Sequence, residues 1–326
     1  MEPLRIVAIG GGTGLSTLLH GLKQFAPQEA DITAVVTVTD DGGSSGRLRR
    51  DFDVLPPGDI RNCMVALSED EALLSKLFQY RFSEGRGLKG HSFGNLFLTA
   101  LTNLTGDFAR AVRDSSEILA SRGRIYPSTS TNVILEAELE NGAIVSGETR
   151  ISKSKRGIRR LRIVPSTCRP LPETLGAIEA ADLITFGPGS LFTSVIPNLL
   201  VNGIPRAIQK SRALKAYFVN LMWQPGETIG FSASDHVAAI HKHAGSNFLD
   251  VVVVNTTPIR AVQRRKYAAQ QVKPVENDNS KLEAMGVEVV GADLLAGGAV
   301  VRHDSGRAAE IVMDLARRGR ARRLAA

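Results

Sequence analysis

The sequence predicts an α/β fold, a mostly parallel sheet covered by helices, with a small β-rich excursion near the middle of its 326 residues. Three observations carry that reading. β-Branched runs stop at glycine clusters that lead straight into apolar segments, the first of them leucines at helical spacing. This strand-then-helix texture recurs in both halves of the chain. Between them, at about residues 130–165, the pattern shortens to alternating segments around Asn141-Gly142, a hairpin signal.

The elements follow in order. Residues 4–9, Leu-Arg-Ile-Val-Ala-Ile, form the first strand and end at Gly10-Gly11-Gly12-Thr13-Gly14, after which Leu15, Leu18, Leu19 and Leu22 set up a helix. A second strand over 32–39 runs into Asp40-Asp41-Gly42-Gly43-Ser44-Ser45-Gly46, and the intervening length suits a right-handed βαβ crossover. A helical stretch is expected from about Asp59 to Tyr80 and another after Gly94, where Leu96, Leu98, Leu101 and Leu104 recur. Past the excursion, which carries a basic run from Lys153 to Arg162, a strand over 181–186 stops at Gly187-Pro188-Gly189-Ser190 and leads into an apolar segment ending near Asn198. Further strands are expected at 216–221 and 249–255, with a helix over 234–244 between them. The second of these holds the unbroken valines 251–254 of a strand covered on both faces. Residues 1–316 thus read as one α/β domain and 317–326 as a disordered basic tail.

A composition of 43% apolar and 22% charged residues is ordinary for a globular chain with a sizeable core. No apolar run approaches membrane-spanning length and the N-terminus lacks the pattern of a secretory signal, so a cytoplasmic protein without membrane contact is expected. Cys63 and Cys168 have no histidines at metal-ligand spacing and indicate neither a disulfide framework nor a zinc site. Of the net charge of +7, five charges come from Arg317, Arg318, Arg320, Arg322 and Arg323. No aromatic residues interleave with these arginines, which argues against nucleic acid as a partner.

The chemistry concentrates where strands meet glycine turns. Gly11, Gly12, Thr13 and Gly14 follow a strand and open a helix, where clustered backbone N–H groups and the positive helix end favour a phosphate. Their spacing is neither the dinucleotide pattern G-x-G-x-x-G nor a P-loop, which disfavours a nicotinamide-dependent oxidoreductase. Asp40 and Asp41 stand where a doubly wound sheet meets a ribose or a metal-bound phosphate, and Gly43, Ser44 and Ser45 offer a second anion nest. Solvated turns and caps account for the same residue types, and Asp59 after Pro56-Pro57-Gly58 reads as a helix cap. His91-Ser92-Phe93-Gly94-Asn95 places polar groups just before a helix. Gly187, Pro188, Gly189 and Ser190 repeat the design of the first turn, with Ser190 and Thr193 as hydroxyl donors, and two such turns suggest one cleft between them. There is no G-x-S-x-G elbow and no zinc-protease helix, and His241 and His243 are spaced to face different sides. No nucleophile or general base emerges, so the residues point to binding rather than catalysis.

Taken together, the segments 10–15, 39–48, 57–62, 91–96 and 187–191 closely resemble, in order and spacing, the YvcK family of bacterial gluconeogenesis factors, part of a superfamily with CofD, a 2-phospho-lactate transferase. The resemblance implies a Rossmann-like three-layer α/β/α fold. It also implies binding of UDP-sugars, notably UDP-N-acetylglucosamine, with no required cofactor, and a role in cell shape and wall integrity on gluconeogenic carbon sources. Carried over by motif, the ligand contacts fall on Gly11–Gly14, Asp41–Ser45, Asn95 and Gly187–Ser190. Tyr267 and Arg302 match a UDP-sugar-binding tyrosine and arginine, one suited to stacking on a base and one to pairing with a phosphate. Ser305 stands where some relatives carry a phosphorylated threonine, which would bring in a serine/threonine kinase alongside cell-wall partners and a homo-oligomer. The alternative is a CofD-like transferase in which Asp41, with Asp40, holds Mg2+ while a phosphorylated group leaves a nucleotide donor.

Overall fold

The computed structural model describes residues 2–68, 73–268 and 271–325. In chain order the strands are β1 (Leu4–Gly10), β2 (Ala30–Val36) and β3 (Arg124–Pro127), then β4 (Ile134–Leu139), β5 (Ile144–Ser146) and β6 (Ile158–Val164), and finally β7 (Leu183–Phe186), β8 (Leu214–Phe218), β9 (Val251–Asn255) and β10 (Glu288–Ala292). Seven of them form one sheet in the order β10-β9-β8-β7-β1-β2-β3. Every pairing in it is parallel. All four residues of β7 and Val251–Val254 of β9 are buried, as a sheet covered on both faces requires. The remaining three strands form an antiparallel sheet in the order β5-β4-β6. Its hairpin turns at Asn141-Gly142, where Gly142 takes φ +81°.

Helices fill the connections: α1 (Gly12–Leu22), α2 (Gly43–Phe52), α3 (Gly58–Leu67), α4 (Leu73–Gln79), α5 (Phe93–Thr105), α6 (Phe108–Ile118) and, inside the excursion, α7 (Glu148–Ser152). After it come α8 (Pro172–Ala180), α9 (Ile196–Leu199, entered through a π-helical turn at Leu191–Val195), α10 (Ile204–Lys210), α11 (Ala233–Ala244), α12 (Ala261–Ala268), α13 (Asn279–Ala284) and α14 (Ser305–Ala325). The leucines read from sequence are the inner stripe of α1, since Leu15, Leu18, Leu19 and Leu22 are all fully buried. Strands alternating with helices around a parallel sheet give the expected Rossmann-like α/β architecture.

Three local expectations are corrected. The helix read over 59–80 is two helices, α3 and α4, and residues 69–72 between them lie outside the described part. Strand β2 stops at Val36, so Asp40 and Asp41 stand beyond the sheet, and Gly43, Ser44 and Ser45 form the first turn of α2 rather than an open loop. The basic tail is helical through Ala325. Ala308, Ala309, Val312, Met313, Leu315 and Ala316 bury one face of α14, and its arginines pair with carboxylates. Arg320 and Arg323 close on the fully buried carboxylate of Asp182 at 2.6 and 2.9 Å, and Arg322 meets Asp250 at 2.8 Å. Like charges that seemed to repel one another in sequence are drawn onto carboxylates at the starts of β7 and β9.

Candidate functional site

The chain builds the sheet outward from β1 in both directions, toward β2 on one side and toward β7 and β8 on the other. The connections leaving β1 and β7 therefore diverge, and a crevice opens at their carboxyl ends. The two glycine turns meet there. A Cβ on Gly14 would collide with the carbonyl oxygen of Pro188 and lie 2.6 Å from the Gly189 Cα, so only glycine permits this approach of one turn to the other. Gly187 takes φ +74°, a left-handed backbone that glycine alone adopts without strain. Asn198 of α9 fastens the pair, donating from its amide to Gly10 O at 3.2 Å and to Ser194 O at 2.7 Å.

A cleft of about 540 Å³ opens over these turns. Gly11, Gly12, Thr13 and Gly14 line it from the first turn, and Pro188, Gly189 and Ser190 from the second. Asn220 and Trp223 join them from the loop after β8, and Tyr267, Arg302 and His303 from the C-terminal quarter of the chain. The Tyr267 hydroxyl accepts from the Val301 N–H at 3.1 Å, which holds the phenol against the segment that carries Arg302. Ser190 Oγ accepts from Gln224 Nε2 at 2.7 Å, so its own proton remains available to a ligand. Thr193 is different: its hydroxyl donates to Glu227 at 3.0 Å.

The other motif residues form a polar knot behind the cleft instead of lining it. Asp40 Oδ1 accepts from the Gly42 N–H at 2.8 Å, and Asp41 Oδ1 accepts from the amide and hydroxyl of Thr149 at 2.8 and 2.6 Å. Ser44 Oγ pairs with His91 Nδ1 at 3.0 Å, and the Asn95 amide reaches Ser45 Oγ at 3.5 Å. Gly43 has no heavy atom within 4 Å of the place a Cβ would occupy. This knot ties α7 of the excursion to the loop after β2, and it thereby delivers Glu148 to the cleft. Ser305, the first residue of α14, lies outside this cleft and lines a neighbouring cavity.

Sequence reasoning missed the carboxyl groups. Asp59, read as a cap, lies in the first turn of α3 with its side chain in the cleft. Burial and then the nearby Asp40 push its carboxyl up to about 7, against the Gly12 N–H that favours the charged form. Glu148 rises to about 9, through burial first and then Asp59 and Asp40. Glu227, buried beneath the second turn, is pushed up by burial to about 7 although Phe192 N–H and Thr193 donate to it. A carboxyl group in its neutral form does not repel a phosphate and can donate to it, and of the three Glu148 is the one that stays neutral at pH 7. Asp59 had a signal in sequence, its place two residues after the diproline Pro56-Pro57, but Glu148 had none.

Known proteins share this sequence and fold over nearly the whole chain. The family model for CofD, described as 2-phospho-L-lactate transferase, matches residues 6–295. The chain is 48% identical to the gluconeogenesis factor of Halalkalibacterium halodurans, over 96% of this chain and 97% of that protein. It is 48% identical to the gluconeogenesis factor of Bacillus subtilis, over 95% and 98%. An X-ray structure of a Bacillus halodurans protein superposes with a TM-score of 0.93 at 48% identity, covering 96% of this chain and all of that one. A second structure of a Bacillus halodurans protein, described as a member of the upf0052 family, gives 0.92. The chain belongs to the CofD family, on the branch of gluconeogenesis factors that its YvcK motifs mark.

Proposed function

We propose that the protein is a cytoplasmic nucleotide-sugar-binding regulator whose ligand is UDP-N-acetylglucosamine, acting without catalysis in the control of cell shape and wall integrity during gluconeogenic growth. The observation that carries the reading is the contact of Gly14 with Pro188 and Gly189, which brings two turns rich in backbone N–H groups to one crevice. A diphosphate there accepts from both turns, Arg302 adds a cation, and Tyr267 offers a ring face to a base. Glu148, raised to about 9, stays neutral beside the diphosphate, and Asp59, raised to about 7, opposes it only in part. In this reading the bound sugar nucleotide biases the protein between states that cell-wall partners, or a second copy of the chain, distinguish, and phosphorylation of Ser305 by a serine/threonine kinase tunes the response. Among the described residues no helix is long and apolar enough to cross a membrane.

The test is calorimetric titration with UDP-N-acetylglucosamine. Binding should be lost or weakened roughly a hundredfold in a Tyr267→Ala, Arg302→Ala double variant, as the loss of a stacking face and a charge-assisted contact predicts. Unchanged affinity in that variant, or no heat with the wild-type protein, rejects the reading.

A second reading, the CofD-like transferase, is favoured by the match to a transferase family and by the carboxyl groups around the cleft. Its expected magnesium pair does not fit. Asp41 is engaged by Thr149, and among the described residues no three His, Cys, Asp or Glu side chains are set to hold a metal ion. Turnover of a UDP-sugar or of an activated phospholactate, abolished by Asp59→Asn, would promote this reading over the first.

A further inference from the structure

A second cavity, of about 560 Å³, borders the cleft along Thr13, Thr17 and Arg302. Three arginines, Arg61, Arg81 and Arg302, line it from α3, from the chain after α4 and from the segment before α14. Among the described residues none of the three forms an ion pair. Their partners are neutral: Arg61 donates to Asn62 Oδ1 at 2.5 Å and Arg81 to Gly90 O at 2.6 Å.

Arg61 is held in place before any ligand arrives. Its stem packs under α5, where a Cβ on Gly94 would lie 2.9 Å from Arg61 Cγ and Cδ, and its Nε is buried without a hydrogen-bond partner. Burial first, and then the positive charge of Arg81, lower its pKa, and the opposing charges of Asp59 and Asp40 do not make up the difference. Two neighbouring like charges, one of them on a half-buried arginine, are an unfavourable arrangement, and a multivalent oxyanion set between them offsets their repulsion.

We propose that this cavity is a second ligand site, for a small molecule bearing a phosphate group, occupied beside the nucleotide sugar and distinct from it. Arg61 and Arg81 are its specificity-determining cations. Arg302 lines both cavities, so the two ligands share one side chain and each alters the affinity for the other. The site stands on its own arginines, and only the coupling rests on the function proposed above.

Calorimetric titration with glycerol 3-phosphate, in the absence of any nucleotide, reads the site directly. Wild-type protein should bind one equivalent, and Arg81→Gln and Arg61→Gln should each weaken binding by roughly tenfold or more, the usual effect of losing a charge-assisted hydrogen bond. Arg81 is exposed, so its variant folds even if Arg61→Gln disturbs the packing against α5. The same variants should leave the affinity for UDP-N-acetylglucosamine, measured alone, within about twofold. Absence of binding to wild type, or equal binding to wild type and Arg81→Gln, overturns the proposal. Failure of UDP-N-acetylglucosamine to bind, with glycerol 3-phosphate still held through Arg81, would sink the function proposed above and leave this site standing.

Discussion

Asp59 joins three properties in one side chain: it follows a rigid turn, it accepts from the Gly12 N–H of the first glycine turn, and its carboxyl is raised to about 7. A diphosphate diester stays doubly charged through the neutral range, so the titrating partner in the cleft is the protein. Below about pH 7 Asp59 is neutral and the phosphate meets no opposing charge; above it the carboxylate repels the ligand. Affinity for UDP-N-acetylglucosamine should therefore fall as pH rises from 6 to 8, and Asp59→Asn should make that fall shallower, leaving the share of Glu227, also raised to about 7. Affinity that climbs with pH instead would contradict this role for Asp59. At this scale the sequence was half legible. Gly11–Gly14 and Gly187–Ser190 announce themselves because few roles other than a turn or a close approach need such glycines. Glu148 does not, because a glutamate becomes a buried neutral acid only through what the fold packs around it.

The same limit appears in whole elements. Strands β1, β7 and β9 were readable from β-branched runs because each is covered on both faces. The edge strands β3 and β10, with exposed and half-buried positions, left no comparable run. The end of helix α14, residues 317–326, was read as a disordered tail because five arginines dominate it, yet Ala308, Ala309, Val312, Met313 and Ala316 just before it repeat at helical spacing. What local sequence could not supply is Asp182. Its side chain is fully buried at the start of β7 and accepts from the Arg5 N–H as well as from Arg320 and Arg323. Burial alone would raise its pKa, but the hydrogen bonds from Arg320, Arg5 and Arg323 outweigh that and hold it below the usual range. Replacing Arg320 and Arg323 by alanine should cost roughly 3–5 kcal/mol of stability, as for other buried carboxylates stripped of a partner. Adding Asp182→Asn should restore much of it, which urea unfolding of the double and triple variants would check. A double variant as stable as the wild type would show α14 to be held by its apolar face alone.

Across the whole molecule, strand order does what no single motif could. The motifs at 10–14 and 187–190 are far apart in sequence, and they meet because β1 and β7 are neighbours in a sheet that grows outward from β1 in both directions. The excursion, legible as a hairpin, has a role that was not: through Thr149 and Asp41 it closes onto the loop after β2 and carries Glu148 to the crevice. Nothing in the spacing of β4, β5 and β6 foretold that contact, since it depends on how two sheets approach. The account rests on two turns acting together on one ligand. A crystal structure of the complex with UDP-N-acetylglucosamine tests this most directly. It should show the diphosphate held by backbone N–H groups of both Gly12–Gly14 and Gly189–Ser190, with Tyr267 against the base. A ligand bound by one turn only, or lodged elsewhere on the molecule, would contradict it.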